Sequence, residues 1–195
     1  IDDLYCDDYV PSDDDILRAR IRSIGIDTVD LTIDSVFIRF YDVGGQRNER
    51  SKWNQIDPTK VDAIVFCLSL GEFDKPCFEE ESMLRSQDAL NLFGQLTHNP
   101  NYEDKPFFFI CNKYDMFEKK VRETDAFIKV FPDYTGDPHD PVKCKEYLIG
   151  KFVEVSNPPS EDRPITFYTQ STLDSQQVVE TTNAICDYIN KNVYE

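Results

Sequence analysis

The chain has 195 residues, which is enough for one domain with a substantial hydrophobic core and too few for two large ones. Its 21 Lys and Arg residues face 37 Asp and Glu residues, giving a formal net charge of −16. A protein this acidic neutralises few phosphates and is repelled by anionic lipid, which excludes a nucleic acid polymer as a favourable partner. Membrane attachment would need a lipid anchor or a partner protein.

The first predicted elements are a short helix and a β-hairpin. Ser12 is placed as an N-cap with Asp15 three residues on, so we expect a helix that begins there and ends before Gly25. Apolar and polar residues then alternate over residues 29–33 and again over residues 36–40. This alternation predicts two antiparallel strands joined by a tight turn.

Farther along, continuous apolar runs alternate with helical patterns. The runs at residues 63–68 and 107–111 predict strands that are covered on both faces. Helical spacing predicts helices over residues 79–97 and 142–155 and from Asp174 onward. A short strand is expected at residues 165–169. The alternation of strands and helices predicts an α/β domain with a mainly parallel sheet.

The six cysteines show no spacing that pairs them, and two of them, Cys67 and Cys111, lie inside apolar runs. We therefore expect reduced thiols that behave as small hydrophobic residues. His98 and His139 have no ligand-like neighbours in the sequence, so a metal site built from His and Cys is not expected.

The first of three polar segments that follow predicted strands is Asp-Val-Gly-Gly-Gln at residues 42–46. Ligands bind at such strand ends in open α/β sheets. Asp42 is placed to join a Mg²⁺ shell, the glycines let backbone N–H groups approach a phosphate, and Gln46 is placed to orient a water molecule. The alternative is a Gly-Gly turn beside a solvated aspartate.

The second segment is Asn-Lys-Tyr-Asp at residues 112–115, and the third is Thr-Gln-Ser-Thr at residues 169–172. An aspartate facing guanine accepts two hydrogen bonds that adenine does not offer, and a site that pairs such donors discriminates strongly. The alternative for the second segment is an ordinary polar loop. The third segment either closes a base pocket or caps the last helix.

The order and spacing of the three segments form one guanine-nucleotide constellation, and here the sequence resembles the α subunit of heterotrimeric G proteins. The resemblance is carried by residues 15–26 (DILRARIRSIGI), residues 42–53 (DVGGQRNERSKW) and residues 112–115. Arf-like small GTPases, the closest alternative family, share a similar Asp-Val-Gly-Gly-Gln run. Their own chain does not carry a catalytic arginine (an arginine finger) in the segment before it. The resemblance implies a Ras-like P-loop GTPase fold of three layers, with a mainly parallel sheet and one antiparallel hairpin, lacking its first strand in this chain.

The resemblance also implies a domain organisation. Residues 1–15 correspond to the end of the family's helical insertion and its linker. Residues 16–195 correspond to the Ras-like GTPase domain, incomplete without an upstream segment. No Gly-x-x-x-x-Gly-Lys-[Ser/Thr] motif occurs in the 195 residues, so we expect the chain to be the downstream part of a longer protein that supplies the phosphate-binding loop.

Roles for individual residues follow from the resemblance. Arg20 matches the catalytic arginine finger that the family carries in its own chain, and Gln46 matches the catalytic glutamine that positions the attacking water. The alternative for Arg20 is a surface cation. Ser23, where the family has Thr, and Asp42 would hold Mg²⁺. The expected contacts to GTP or GDP are Leu17, Arg18, Ala19, Arg20, Asp42, Val43, Gly44, Gly45, Gln46, Asn112, Lys113, Tyr114, Asp115 and Ser171.

The function implied by the resemblance is that of a GTPase, a GTP-hydrolysing signalling switch downstream of a seven-helix membrane receptor. Its expected partners are a βγ dimer, the receptor, an effector and a GTPase-accelerating protein of the RGS type. Its expected location is the cytoplasm, peripheral at the inner face of the plasma membrane. The alternative function is a nucleotide-independent interaction module that lacks the phosphate loop.

Overall fold

The computed structural model describes residues 9–18, 23–33, 36–161 and 163–193. The chain divides into two compact units, the first up to Gln55 and the second from Ile56 onward. Each unit has its own secondary structure and is described separately below. Within the described residues, every helix is too short or too polar to traverse a lipid bilayer.

The first unit begins with helix α1 (Asp13–Arg18), whose start is capped by Ser12. The Ser12 hydroxyl accepts a hydrogen bond from the Asp15 backbone N–H at 3.2 Å, and the Asp15 carboxylate accepts one from the Ser12 N–H at 2.9 Å. This reciprocal pair satisfies backbone donors that the first turn of a helix leaves open. The predicted N-cap is confirmed.

The first unit continues with an antiparallel hairpin of strands β1 (Ile26–Ile33) and β2 (Val36–Val43). Ile33 faces Val36 at the turn end and Ile26 faces Val43 at the open end, as the alternating pattern predicts. Arg39 on β2 donates two hydrogen bonds to Asp30 on β1, at 2.7 and 2.8 Å. Helix α2 (Arg47–Arg50) and a 3₁₀ turn (Ser51–Gln55) follow β2.

The second unit contains a parallel sheet in the order β3-β4-β5, with strands at Ile64–Ser69, Phe107–Asn112 and Ile165–Thr169. Ser69 lies beside Asn112, and Cys111 lies beside Thr169. The carboxyl ends of the three strands therefore meet at one edge of the sheet. The helices of this unit are α3 (Arg85–Thr97), α4 (Tyr114–Glu123), α5 (Ala126–Val130), α6 (Pro141–Val155) and α7 (Ser175–Val193).

An aromatic cluster fills one face of this sheet. Phe93 of α3 is fully buried, and its ring lies 5.0–5.8 Å from the rings of Phe66, Phe107, Phe109 and Phe152. Such offset and edge-on pairs stabilise a core beyond the area that they bury. Helices α3 and α6 thereby pack on this face.

Helix α7 packs over β4 on the opposite face of the sheet. Phe108, which points away from the aromatic cluster, packs with Ile185 and Ile189 of α7. The second unit therefore has helices on both faces of a parallel sheet. The predicted α/β class, with a parallel sheet and an antiparallel hairpin, is confirmed and is consistent with a Ras-like GTPase fold.

Two predictions about this unit are wrong. The first concerns α3, which begins at Arg85 instead of near residue 79. The preceding segment uses its backbone groups differently, because Cys77 N–H donates to the Met83 carbonyl at 2.8 Å and Pro76 bridges to Leu84. These hydrogen bonds close a tight loop, so the helical ladder starts only after it.

The second concerns β3, which is covered on one face only. Phe66 and Leu68 are buried in the core, whereas Val65 is 41% exposed and Cys67 is exposed. Val65 and Cys67 point to the side of the sheet where Phe108 anchors α7 over β4. The expectation of two covered faces is confirmed for β4, whose residues Phe107, Phe108 and Phe109 are fully buried.

We predict that Phe93→Ala lowers the free energy of unfolding by about 3–5 kcal/mol, because it leaves a cavity among four aromatic rings. Val65→Ala, at the exposed position of β3, should cost less than about 1 kcal/mol. Chemical denaturation of both variants measures the difference. Equal costs for the two substitutions would contradict the assignment of Phe93 to the centre of the core.

Candidate functional site

The first group of predicted site residues lies where β2 ends. The Ser23 hydroxyl donates a hydrogen bond to the Asp42 carboxylate at 3.4 Å, across 19 positions of sequence. Asp42 is exposed and Ser23 is half-buried. The structure therefore brings together the two residues that the family resemblance implies as Mg²⁺ ligands.

Gly44 and Gly45 occupy contrasting environments after β2. Gly44 is buried, and a Cβ atom there would lie 2.8 Å from the Cβ and Cγ atoms of Glu49 and 3.0 Å from the Ser23 carbonyl oxygen. The Trp53 indole N–H donates to the Gly44 carbonyl at 3.0 Å. Gly45 is exposed and a Cβ there would meet no atom within 4 Å, and its carbonyl accepts a hydrogen bond from Arg50 Nε at 3.1 Å.

Gln46 is the N-cap residue of α2 and has extended backbone geometry. Its side chain is half-buried and makes no capping hydrogen bond. The amide group is thus not used to cap the helix, which is compatible with a role toward a ligand. Val43, the last residue of β2, is half-buried.

Glu49 was missed by the sequence interpretation. It is 5% exposed, and its carboxylate accepts hydrogen bonds from the Gly25 N–H at 2.9 Å and from Lys52 Nζ at 2.6 Å. Glu49 and Lys52 are three residues apart, a helical spacing that predicts their ion pair. Nothing in the sequence indicates the contact with Gly25, because it depends on how residues 24 positions apart meet.

The second group of predicted residues lies at the carboxyl edge of the parallel sheet. Asn112 Oδ1 accepts hydrogen bonds from the N–H groups of Lys113 at 2.8 Å and Thr172 at 3.1 Å. Its Nδ2 group donates to the Thr172 hydroxyl at 3.5 Å. Asn112 therefore joins the loop after β4 to the loop after β5.

Lys113 has a left-handed backbone conformation, with φ 58° and ψ 39°, at the N-cap of α4. Its Nζ atom lies 3.5 Å from Glu72 Oε1, and Arg85 Nη1 lies 2.8 Å from Glu72 Oε2. Burial raises the pKa of Glu72, but the charges of Lys113 and Arg85 outweigh it and the net pKa is lowered. Glu72 thus stays ionised and holds the Lys113 ammonium.

Tyr114 and Asp115 form the first turn of α4. The Tyr114 N–H donates to the Gln170 carbonyl at 3.2 Å, which fixes the helix start against the loop after β5. Asp115 is exposed, and its carboxylate accepts no hydrogen bond from the part of the chain that the structure describes. An open carboxylate at this position has its acceptor capacity available to a ligand.

The segment at residues 169–172 does not cap the last helix. Asp174 does so, because its carboxylate accepts from the N–H groups of Gln176 at 3.0 Å and Gln177 at 3.2 Å. Ser171 is half-buried, and its N–H donates to Gln177 Oε1 at 2.9 Å. The helix-cap alternative is therefore wrong, and the segment is held as a loop beside Asn112.

Gly71 is a second residue that the sequence interpretation missed. A Cβ atom there would lie 2.6 Å from the Met116 Cβ and 3.3 Å from the Lys113 carbonyl oxygen. The loop after β3 can therefore pack directly against the start of α4 only with glycine at this position.

Two of the remaining predicted residues are at the end of α1. Leu17 and Arg18 form the end of that helix. Ala19 and the predicted arginine finger Arg20 lie outside the described residues.

We predict that Asn112→Ala lowers the free energy of unfolding by about 1–3 kcal/mol, because two backbone N–H groups lose their acceptor. Asn112→Asp should cost less, since a carboxylate oxygen still accepts both bonds. Chemical denaturation measures each cost. Asn91→Ala, which removes one exposed side-chain contact on α3, is the matched control and should change stability by less than about 0.5 kcal/mol. An Asn112→Ala cost as small as that of the control would refute the bridging role.

Comparisons with known proteins identify the family of the chain. The family model described as G-protein alpha subunit matches residues 1–189. The chain is 47% identical to guanine nucleotide-binding protein subunit alpha-1 of Trichomonas vaginalis over 195 residues, which is 100% of this chain and 48% of that protein. It is 39% identical over 157 residues to the alpha-8 subunit of Dictyostelium discoideum, covering 78% of this chain and 38% of that protein.

A third relative, a guanine nucleotide-binding protein subunit alpha of Coprinellus congregatus, is 33% identical over 189 residues, which is 97% of this chain and 52% of that protein. The chain spans about half the length of the curated relatives that it matches, or less. The match to the family model nevertheless covers almost all of the 195 residues. The chain belongs to the family of G-protein alpha subunits.

Proposed function

We propose that the protein containing this chain binds GTP and GDP and hydrolyses GTP as a signalling switch. The observation that carries the proposal is the loop arrangement around Asn112, which leaves the Asp115 carboxylate exposed at the start of α4. Membership of the G-protein alpha family supports it. The phosphate-binding motif does not occur in these 195 residues, so the proposed enzyme includes an upstream segment that supplies it.

Guanine recognition is assigned to the loops joined by Asn112. The Asp115 carboxylate accepts hydrogen bonds from the ring N1–H and the exocyclic amine of guanine, a pair that adenine does not present. The stem of Lys113, whose ammonium is held by Glu72, covers the face of the base. Ser171 and its neighbours close the pocket beside the base. A purine without the two donors leaves the carboxylate unsatisfied and binds far more weakly.

Ser23 and Asp42 are suited to Mg²⁺ by their donor chemistry. Hydroxyl and carboxylate oxygens are the ligands that this ion prefers, and Mg²⁺ uses one or two carboxylates together with waters and substrate phosphates. Among the described residues, no cluster of three or more His, Cys, Asp or Glu side chains suited to a metal occurs, so this assignment relies on the Ser23 and Asp42 oxygens alone. When bound, the ion neutralises charge on the phosphates.

Hydrolysis is assigned to Gln46 and Arg20. Gln46, whose side chain is not engaged in capping α2, orients the water that attacks the terminal phosphate. Arg20 stabilises the negative charge that develops on the transferring group, as a placed cation does in a water-poor site. The exposed backbone at Gly45 donates its N–H to the same phosphate.

The proposed cellular role follows from the family. We propose a βγ dimer, a seven-helix receptor, an effector and an RGS-type protein as partners, at the cytoplasmic face of the plasma membrane. The family membership supports a partner such as the βγ dimer in kind. Pull-down of βγ by the GDP-loaded protein, lost on loading with a GTP analogue, tests this proposal, and nucleotide-independent capture would argue against it.

A second candidate function is a nucleotide-independent interaction module. It is favoured by one observation, the lack of a Gly-x-x-x-x-Gly-Lys-[Ser/Thr] motif in the 195 residues. Intact mass spectrometry of the native protein, together with binding of a GTP analogue, separates the two functions. A mass close to that of 195 residues and no binding would support the module.

We predict that Asp115→Asn weakens binding of a slowly hydrolysed GTP analogue by at least about a hundredfold. The amide replaces one acceptor oxygen by an NH2 donor that opposes a guanine donor, and the remaining oxygen carries no charge. Titration of the full-length native protein with a fluorescent analogue measures the effect. Asp104→Asn, which alters an exposed carboxylate in the loop after α3, is the control and should bind as the unmodified protein does. Unaltered binding by Asp115→Asn would remove Asp115 from base recognition.

We predict that Arg20→Cys and Gln46→Leu each slow single-turnover GTP hydrolysis by about a hundredfold while analogue affinity stays within about threefold. The reason is that both residues act on the transition state more than on bound GTP. Arg39→Ala, which breaks an exposed pair on the hairpin, is the control for loss of an arginine. Rates equal to the control would remove both residues from the mechanism.

A further inference from the structure

Glu49 is a buried carboxylate next to the proposed site, and the proposed function assigns it no role. It is the only buried residue of α2, at 5% exposure. A carboxylate removed from water is costly unless it is paired and hydrogen-bonded. Here it accepts from the Gly25 N–H at 2.9 Å and from Lys52 Nζ at 2.6 Å. The contact with Gly25 joins α2 to the segment that follows Ser23.

Gly44 lies between the same two segments. Its N–H donates to the Gly25 carbonyl at 3.4 Å. There is no room for a Cβ atom at Gly44, because the Glu49 side chain would be 2.8 Å away and the Ser23 carbonyl 3.0 Å away. The 23–25 segment, Gly44 and Glu49 are therefore linked by two hydrogen bonds and by close packing.

Stabilisation of helix α2 alone does not explain the burial of Glu49 or its hydrogen bond to Gly25. An acidic residue in the first turn of a helix is favoured by the helix dipole, but α2 has only four residues and the dipole effect is small at the surface. That effect also requires neither burial nor a bond to a backbone group 24 residues away.

We propose that Glu49 is a positioning residue that couples the Ser23–Gly25 segment to the Gly44–Gln46 segment. The first segment carries a proposed Mg²⁺ ligand, and the second carries the residue proposed to orient the water. Through its hydrogen bond to Gly25 and its packing against Gly44, Glu49 makes the two segments adopt their active positions together. This inference rests on the proposed function, which it extends from the reacting groups to the residue that holds them.

The contact itself is tested by amide hydrogen exchange at Gly25 in the full-length protein. Glu49→Ala should speed this exchange by at least about tenfold, because the acceptor of the N–H is removed. Glu49→Gln retains an oxygen acceptor and should keep most of the protection. Asn48→Ala, at the exposed neighbouring position of α2, should leave it unchanged. Equal exchange in Glu49→Ala and Asn48→Ala would overturn the inference.

The coupling is tested by single-turnover GTP hydrolysis at varied Mg²⁺ concentration. Glu49→Ala should raise the Mg²⁺ concentration for half-maximal rate about tenfold and lower the maximal rate about tenfold, with GDP affinity in the absence of Mg²⁺ within about threefold. Glu49→Gln should recover most of both losses. Gly44→Ala, whose Cβ displaces the Glu49 side chain, should reproduce the Glu49→Ala profile.

These measurements separate the two proposals. If the unmodified full-length protein does not bind the GTP analogue, the proposed function fails. If it binds and hydrolyses GTP, and Glu49→Ala leaves the Mg²⁺ dependence unchanged, only the role of Glu49 fails. A uniform loss of GDP affinity, rate and stability that Glu49→Gln does not rescue would likewise overturn positioning in favour of a purely structural role.

Discussion

The aromatic packing beneath β4 is the constraint on which the second unit depends. Phe107 and Phe109 face α3 and α6, and Phe108 between them faces α7, so one strand anchors helices on both sides of the sheet. Because neighbouring strands run parallel, fixing β4 also fixes the edge at which the loops after β3, β4 and β5 emerge. The apolar core therefore determines where these three loops begin, and few polar contacts are needed to hold them together.

Single residues hold the loops in place at the edge of the sheet. Asn112 satisfies backbone donors on two loops, and Gly71 allows a third loop to approach the same helix start. In the first unit, a buried carboxylate at Glu49 performs the corresponding task by accepting the Gly25 N–H. Both units thus hold irregular backbone by side chains that accept N–H groups, in keeping with the high cost of leaving such donors unsatisfied.

The sequence predicted those features that local patterns determine. Strand β5 and helix α6 were expected within a residue of their observed bounds, because a short apolar stretch and helical spacing are local patterns. The start of α3 could not be predicted, since a loop closed by Cys77 and Met83 competes for the same backbone groups. The burial of Glu49 could not be predicted from the sequence either, because it arises from a contact between segments that are distant in the chain.

The left-handed backbone of Lys113 has a consequence for how this protein can change. A non-glycine residue in that conformation is disfavoured by roughly 1–2 kcal/mol, a strain that glycine would relieve. Replacement by glycine would, however, remove the ammonium that pairs with Glu72. Relief of backbone strain and retention of the ion pair therefore favour different residues at position 113. The chain has a lysine there, so a strained turn holds one of the two cations that pair with Glu72 beside the start of α4.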